Sequence, residues 1–155
     1  MRRLILFFVA ACAIAVPAAS AAPAKNSANN DSRVMCALHA KLSAEGDTGS
    51  TSMDTGKTKI KVLADGTIEF KTKINNVDGE TFVAAHIHQG AVGIAGPPVE
   101  LLFSGSTSAS KIKQSGAATP LASTTGADIC ADPSGYYVNY HSTQFPDGSI
   151  RGQLG

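Results

Sequence analysis

The chain has 155 residues, 43% of them hydrophobic, with 13 Lys and Arg against 12 Asp and Glu. That length suits one domain with a real core. The near-neutral balance contains no basic run, which argues against nucleic acid and anionic membrane surfaces as partners.

The N-terminus reads as an export signal rather than as part of the fold. Met1-Arg2-Arg3 is a short basic start, Leu4 to Val16 is apolar, and Pro17 to Ala22 is small and Ala-rich. The apolar run is short for a membrane span, so residues 1–22 are expected to be a cleaved signal peptide, with no stable membrane insertion afterwards. Its removal takes away Arg2, Arg3 and Cys12 and leaves 11 basic and 12 acidic side chains. The protein is then secreted or periplasmic. Cys36 and Cys130 are the two remaining cysteines, and export favours one disulfide between them; two free buried thiols are the alternative.

Residues 23–33 are polar and small and are expected to be a disordered lead-in to a domain at 34–155. Val34 to Leu42 is the first predicted strand, with Cys36, Leu38, Ala40 and Leu42 on one face and Ala37, His39 and Lys41 on the other. Ser43 to Gly56 is loop. Lys57 to Leu63 alternates, with Ile60 and Val62 inward and Lys59 and Lys61 outward. Ala64-Asp65-Gly66 is a hairpin turn, and Thr67 to Ile74 returns with Ile68, Phe70, Thr72 and Ile74 inward. Asn75 to Gly79 turns again.

Thr81 to Gln89 is a strand containing His86-Ile87-His88. Gly90 to Pro98 is a loop and Val99 to Phe103 a short apolar strand. Ser104 to Ser134 is rich in Ser, Thr, Ala and Gly, and offers at most a short strand near Ile112 and a helical turn over Asp128 to Ala131. Tyr136 to His141 is a strand, Phe145 to Gly148 a turn, and Ser149 to Leu154 the last strand. Seven or eight short alternating strands without a sustained helical period predict an all-β fold, a Greek-key β-sandwich or barrel.

The four histidines of the chain, His39, His86, His88 and His141, all fall in predicted strands and on faces opposite the apolar positions. His86 and His88 flank Ile87, so both rings leave the strand on one side, with Cα atoms roughly 6.6 Å apart. His141 shares its face with Tyr137 and Asn139. If the strands converge, four neutral imidazoles make a nitrogen-rich site for one metal ion. Copper is the first choice and zinc the second, whereas calcium and magnesium want oxygen. Separate surface histidines are the alternative. Tyr137, Asn139 and Arg151 are candidates to support such ligands by hydrogen bonding or charge, and Arg151 could equally brace the last hairpin. Met35 and Met53 read as packing or loop residues.

Two stretches resemble the signature blocks of the CHRD family, the domain named after chordin. One is Ala84-Ala85-His86-Ile87-His88-Gln89-Gly90, followed by Gly93 and Gly96-Pro97-Pro98-Val99. The other runs Tyr136-Tyr137-Val138-Asn139-Tyr140-His141-Ser142 and Phe145-Pro146-Asp147-Gly148-Ser149-Ile150-Arg151-Gly152-Gln153-Leu154. The resemblance covers about Met35 to Gly155. It implies an extracellular sandwich likened to immunoglobulin domains and to copper/zinc superoxide dismutase, with no single established activity. The likeness to the dismutase includes a His-x-His strand on the outside of the barrel. The chain departs from the family after Leu42-Ser43-Ala44-Glu45, where Gly46-Asp47 stands in place of a proline-containing motif, and His39 has no counterpart to carry over.

Three functions compete at this stage. The first is an exported copper-binding carrier or buffer. The second is a copper-only dismutase-like enzyme with Arg151 steering the substrate, disfavoured because four ligands leave little room for one. The third is a metal-free extracellular ligand-binding or adhesion module. The sequence names no protein partner.

Overall fold

The computed structural model describes residues 33–45 and 48–155; the expected signal peptide at 1–22 and nearly all of the lead-in at 23–33 lie outside them. Nine strands form two antiparallel sheets among the described residues. In chain order they are β1 (Val34–Leu42), β2 (Thr55–Leu63), β3 (Ile68–Asn75), β4 (Phe82–Gln89), β5 (Pro98–Thr107), β6 (Lys111–Ala117), β7 (Thr119–Pro120), β8 (Tyr136–Ser142) and β9 (Ile150–Gln153). One six-residue helix, α1 (Gly126–Ala131), and a 3-10 turn at Pro133–Gly135 precede β8. The first sheet has the order β1-β2-β3-β6 and the second β7-β5-β4-β8-β9. β3 pairs with β6 although the β4–β5 hairpin of the opposite sheet lies between them in sequence, which is the crossover expected of a Greek key.

The alternation in the sequence becomes the two faces of each sheet. Leu38, Leu42, Ile60, Val62, Phe70 and Ile74 point from the first sheet into the core. Phe82, Ala85, Ile87, Val138, Tyr140 and Ile150 meet them from the second. Thr58 and Thr72, opposite each other on β2 and β3, satisfy their buried hydroxyls mutually at 2.8 Å. Phe82 and Tyr140 meet edge to face, with ring centroids 6.0 Å apart.

The Cys36–Cys130 disulfide forms and fastens β1 to α1. The sheets also close on one side, where β1 meets the C-terminus: Ser43 and Arg151 exchange backbone hydrogen bonds, as do His39 and Gly155.

The stretch 104–134 corrects the sequence reading. β5 extends to Thr107, and β6 is a full strand pairing with β3 from Glu69 to Asn75. Its inward face carries Ile112, Gln114 and Gly116, of which Ile112 is the only large apolar residue, so no hydrophobic alternation marks it. Gln114 is inward because it accepts the Tyr140 hydroxyl at 2.9 Å. The helical turn expected at Asp128 begins two residues earlier, where a Thr125/Asp128 capping box starts α1.

Candidate metal centre

Ile87, fully buried, fixes the orientation of β4: its neighbours His86 and His88 must leave on the opposite face. β8 runs antiparallel beside it, with Ala84 opposite His141, His86 opposite Asn139 and His88 opposite Tyr137. His141 therefore stands diagonally across from His86, over the small Ala84. Ring centroids are 5.5 Å apart for His86–His88, 5.0 Å for His86–His141 and 5.6 Å for His88–His141. One ligand-capable nitrogen from each ring lies within 4.8 Å of those of the other two. Tetrahedral coordination at 2.0–2.1 Å needs donor pairs about 3.3 Å apart, a closure within reach of side-chain rotation.

The face is only partly open to solvent: His88 is buried, and His86 and His141 are half-buried. Two loops cover it, and each supplies a backbone carbonyl to one ring. His88 Nδ1 donates to Gly96 O at 2.8 Å, and His141 Nδ1 donates to Pro146 O at 2.8 Å. Those bonds fix the tautomers and leave Nε2 of both rings as the lone-pair nitrogen. His88 Nε2, His141 Nε2 and His86 Nδ1 are all buried without a hydrogen-bond partner. Buried polar atoms normally find one, so three such nitrogens on adjacent rings leave the cluster incompletely satisfied.

Burial is the main reason all three rings resist protonation. His86 is pushed down to about 4 by desolvation, reinforced by His141 and His88. His88 is lowered by burial, which prevails over its bond to Gly96, with smaller lowering contributions from His141 and Arg151. His141 is lowered by burial despite the Pro146 carbonyl and nearby Asp147. Neutral imidazoles are the form that binds metal.

Tyr137, Asn139 and Arg151 lie on the same face. Tyr137 stacks on His88 with centroids 5.0 Å apart and planes 15° from parallel. The Arg151 guanidinium lies over the Tyr137 ring, 3.4 Å from its centroid. Arg151 is no surface residue: it is 1% exposed, pairs with Glu45 at 3.2 Å and donates to Ile94 O at 3.4 Å. Asn139 sits between His86 and Arg151 in the strand register and donates to Asp147 O at 3.2 Å.

His39 is not part of the cluster. It belongs to β1 of the first sheet, is exposed and sits opposite Lys59. Its outward orientation was legible, but the outward faces of two sheets point in opposite directions. The expected four-histidine site is thus a three-histidine cluster. Met35 and Met53 are exposed.

Two contributors had no side-chain signal in the sequence. Gly96 is the hinge of the cover: its carbonyl holds His88 while its N–H donates to Tyr137 Oη at 3.0 Å. Glu45 reaches Arg151 across more than a hundred residues, a pairing that only the fold creates.

The family model described as CHRD domain matches residues 38–154. No curated protein and no solved structure matches the chain.

Proposed function

The chain belongs to the CHRD domain family, an extracellular class of module with which the Cys36–Cys130 disulfide is consistent, and from that premise we propose that it binds one copper or zinc ion through His86, His88 and His141. The observation that carries the reading is the convergence of three imidazole rings, each of which also has a buried nitrogen without a hydrogen-bond partner. Three neutral nitrogens, two of them on carbonyl-anchored rings, suit zinc and copper, and copper(II) has the higher intrinsic affinity for such donors. His86 would contribute Nδ1, and His88 and His141 would contribute Nε2. Tyr137 and Arg151 hold the His88 ring in place from behind.

The function this supports is metal carriage or buffering outside the cytoplasm. Isothermal titration with Cu(II), Cu(I) and Zn(II) tests it. Wild type and His39→Ala should bind one ion with micromolar or tighter affinity, and His86→Ala/His88→Ala should not. A wild type that binds none of the three ions ends the proposal and leaves a metal-free extracellular sandwich module.

A second reading gains from the geometry. Three ligands rather than four leave a coordination position open, as catalytic sites require, although Arg151, buried and paired with Glu45, is not placed to steer a substrate. A copper-only dismutase would consume superoxide when copper-loaded. Loaded protein that fails to accelerate that reaction remains a carrier.

A further inference from the structure

The outer face of the first sheet concentrates nearly all the lysine of the chain. Lys41 on β1, Lys57, Lys59 and Lys61 on β2, Lys71 and Lys73 on β3, and Lys111 and Lys113 on β6 are all exposed. Lys25 is the one other lysine in the sequence. The register aligns Lys41 with Lys57, Lys57 with Lys73 and Lys73 with Lys113, a row of four ammonium groups crossing every strand of the sheet. Beside it His39, Lys59 and Lys71 form a second row. Glu69, opposite Lys61, is the only acidic residue among the outward positions of these strands.

Like charges directly opposite on neighbouring strands destabilise a sheet. Three such pairs in succession carry a cost that a bound anionic surface would relieve. The near-neutral total hid this face, because the lysines alternate with core residues and never form a run. The fold separates the signs that the sequence interleaves.

We propose that this face docks on an anionic lipid surface. The lattice extends in two dimensions, about 5 Å between strands and 7 Å along them, over four strands. A plane of phosphate headgroups meets all eight ammonium groups together, whereas one linear polymer chain covers a strip and leaves the outer rows unpaired. The face has no Phe, Tyr or Trp on which bases could stack and no arginine to grip a phosphate in a two-pronged geometry. Lysine, a point charge on a flexible stem, suits mobile headgroups. Docked this way, the histidine cluster on the opposite sheet faces away from the lipid.

Co-sedimentation with vesicles tests this, using phosphatidylcholine alone against phosphatidylcholine with 30% phosphatidylglycerol. The protein should partition onto the anionic vesicles only and be released by about 0.5 M NaCl, where charge screening is nearly complete. Each lysine near such a surface contributes about fivefold in partitioning, so Lys57→Gln/Lys59→Gln/Lys71→Gln/Lys73→Gln should lose several-hundredfold. The same variant should melt at a higher temperature than wild type in low salt, since it relieves the repulsion. Should it fail to fold, single Lys57→Gln and Lys73→Gln variants should each lose about fivefold. Equal binding to neutral and anionic vesicles, or binding that survives the substitutions, overturns the proposal. Capture by heparin, a soluble linear polyanion, without capture by anionic vesicles overturns it in favour of an acidic polymer.

Discussion

The burial of the histidine cluster makes a quantitative prediction about pH. Each imidazole must be deprotonated before it ligates, so protons compete with metal. Three ordinary histidines, titrating near 6.5, would each cost about tenfold in affinity between pH 7.5 and 5.5, about a thousandfold together. In this protein His86 titrates at about 4 and stays neutral throughout that range. It contributes essentially none of the loss. His88 and His141 are also lowered, so even at their ordinary values the two would set a ceiling of about a hundredfold. The direction follows for stability as well. The metal-free fold should weaken as pH falls from about 6.5 toward 4, because the unfolded chain takes up protons that the native rings refuse. The assay is zinc titration calorimetry at pH 7.5, 6.5 and 5.5, repeated in buffers of different ionisation enthalpy to count released protons. At pH 6 an ordinary site would release roughly two protons per ion, and this one should release fewer than about 1.5. A thousandfold loss of affinity by pH 5.5, or release of two or more protons at pH 6, would refute the buried, pre-neutralised site.

Two further substitutions probe the scaffold. A Cβ at Gly96 would collide with the Gln89 carbonyl, so Gly96→Ala must move the carbonyl that anchors His88. Its metal affinity should fall about 10- to 100-fold in calorimetry with the sandwich still folded by circular dichroism, and wild-type affinity would contradict the anchoring role. The Cys36–Cys130 bond spans 94 residues, and Cys36→Ala/Cys130→Ala should lose about 4–5 kcal/mol in urea unfolding, with added reductant reproducing the loss in the wild type. A difference below about 1 kcal/mol would show that β1 and α1 stay docked without it.

Much of the fold was legible because strand alternation is a local signal. β1, β2, β3 and β8 carry mostly apolar residues at every second position, and the structure buries them, while β4 resumes the alternation at Ala85 and Ile87 after a bulge that follows Phe82. β6 escaped because it needs one aliphatic side chain, Ile112, and fills the rest of its inward face with Gln114 and a glycine. Its place in the sheet is dictated by β3, forty residues upstream, and no local pattern encodes that.

The histidines and the lysines share the same limit. Parity along a strand tells which residues point outward, and it was right for His39, His86, His88 and His141 alike. It does not tell which sheet the strand joins, or in what register. His86, His88 and His141 converge because β4 and β8 are neighbours with Ala84 set against His141. His39, with the same parity, joins the opposite layer and a field of lysines. Those lysines, scattered at alternate positions over more than seventy residues, become one lattice through three strand pairings. Side-chain chemistry was thus readable one strand at a time, while both candidate surfaces are properties of the pairing between strands. A one-residue deletion inside β4 would move every outward group beyond it on that strand to the core side.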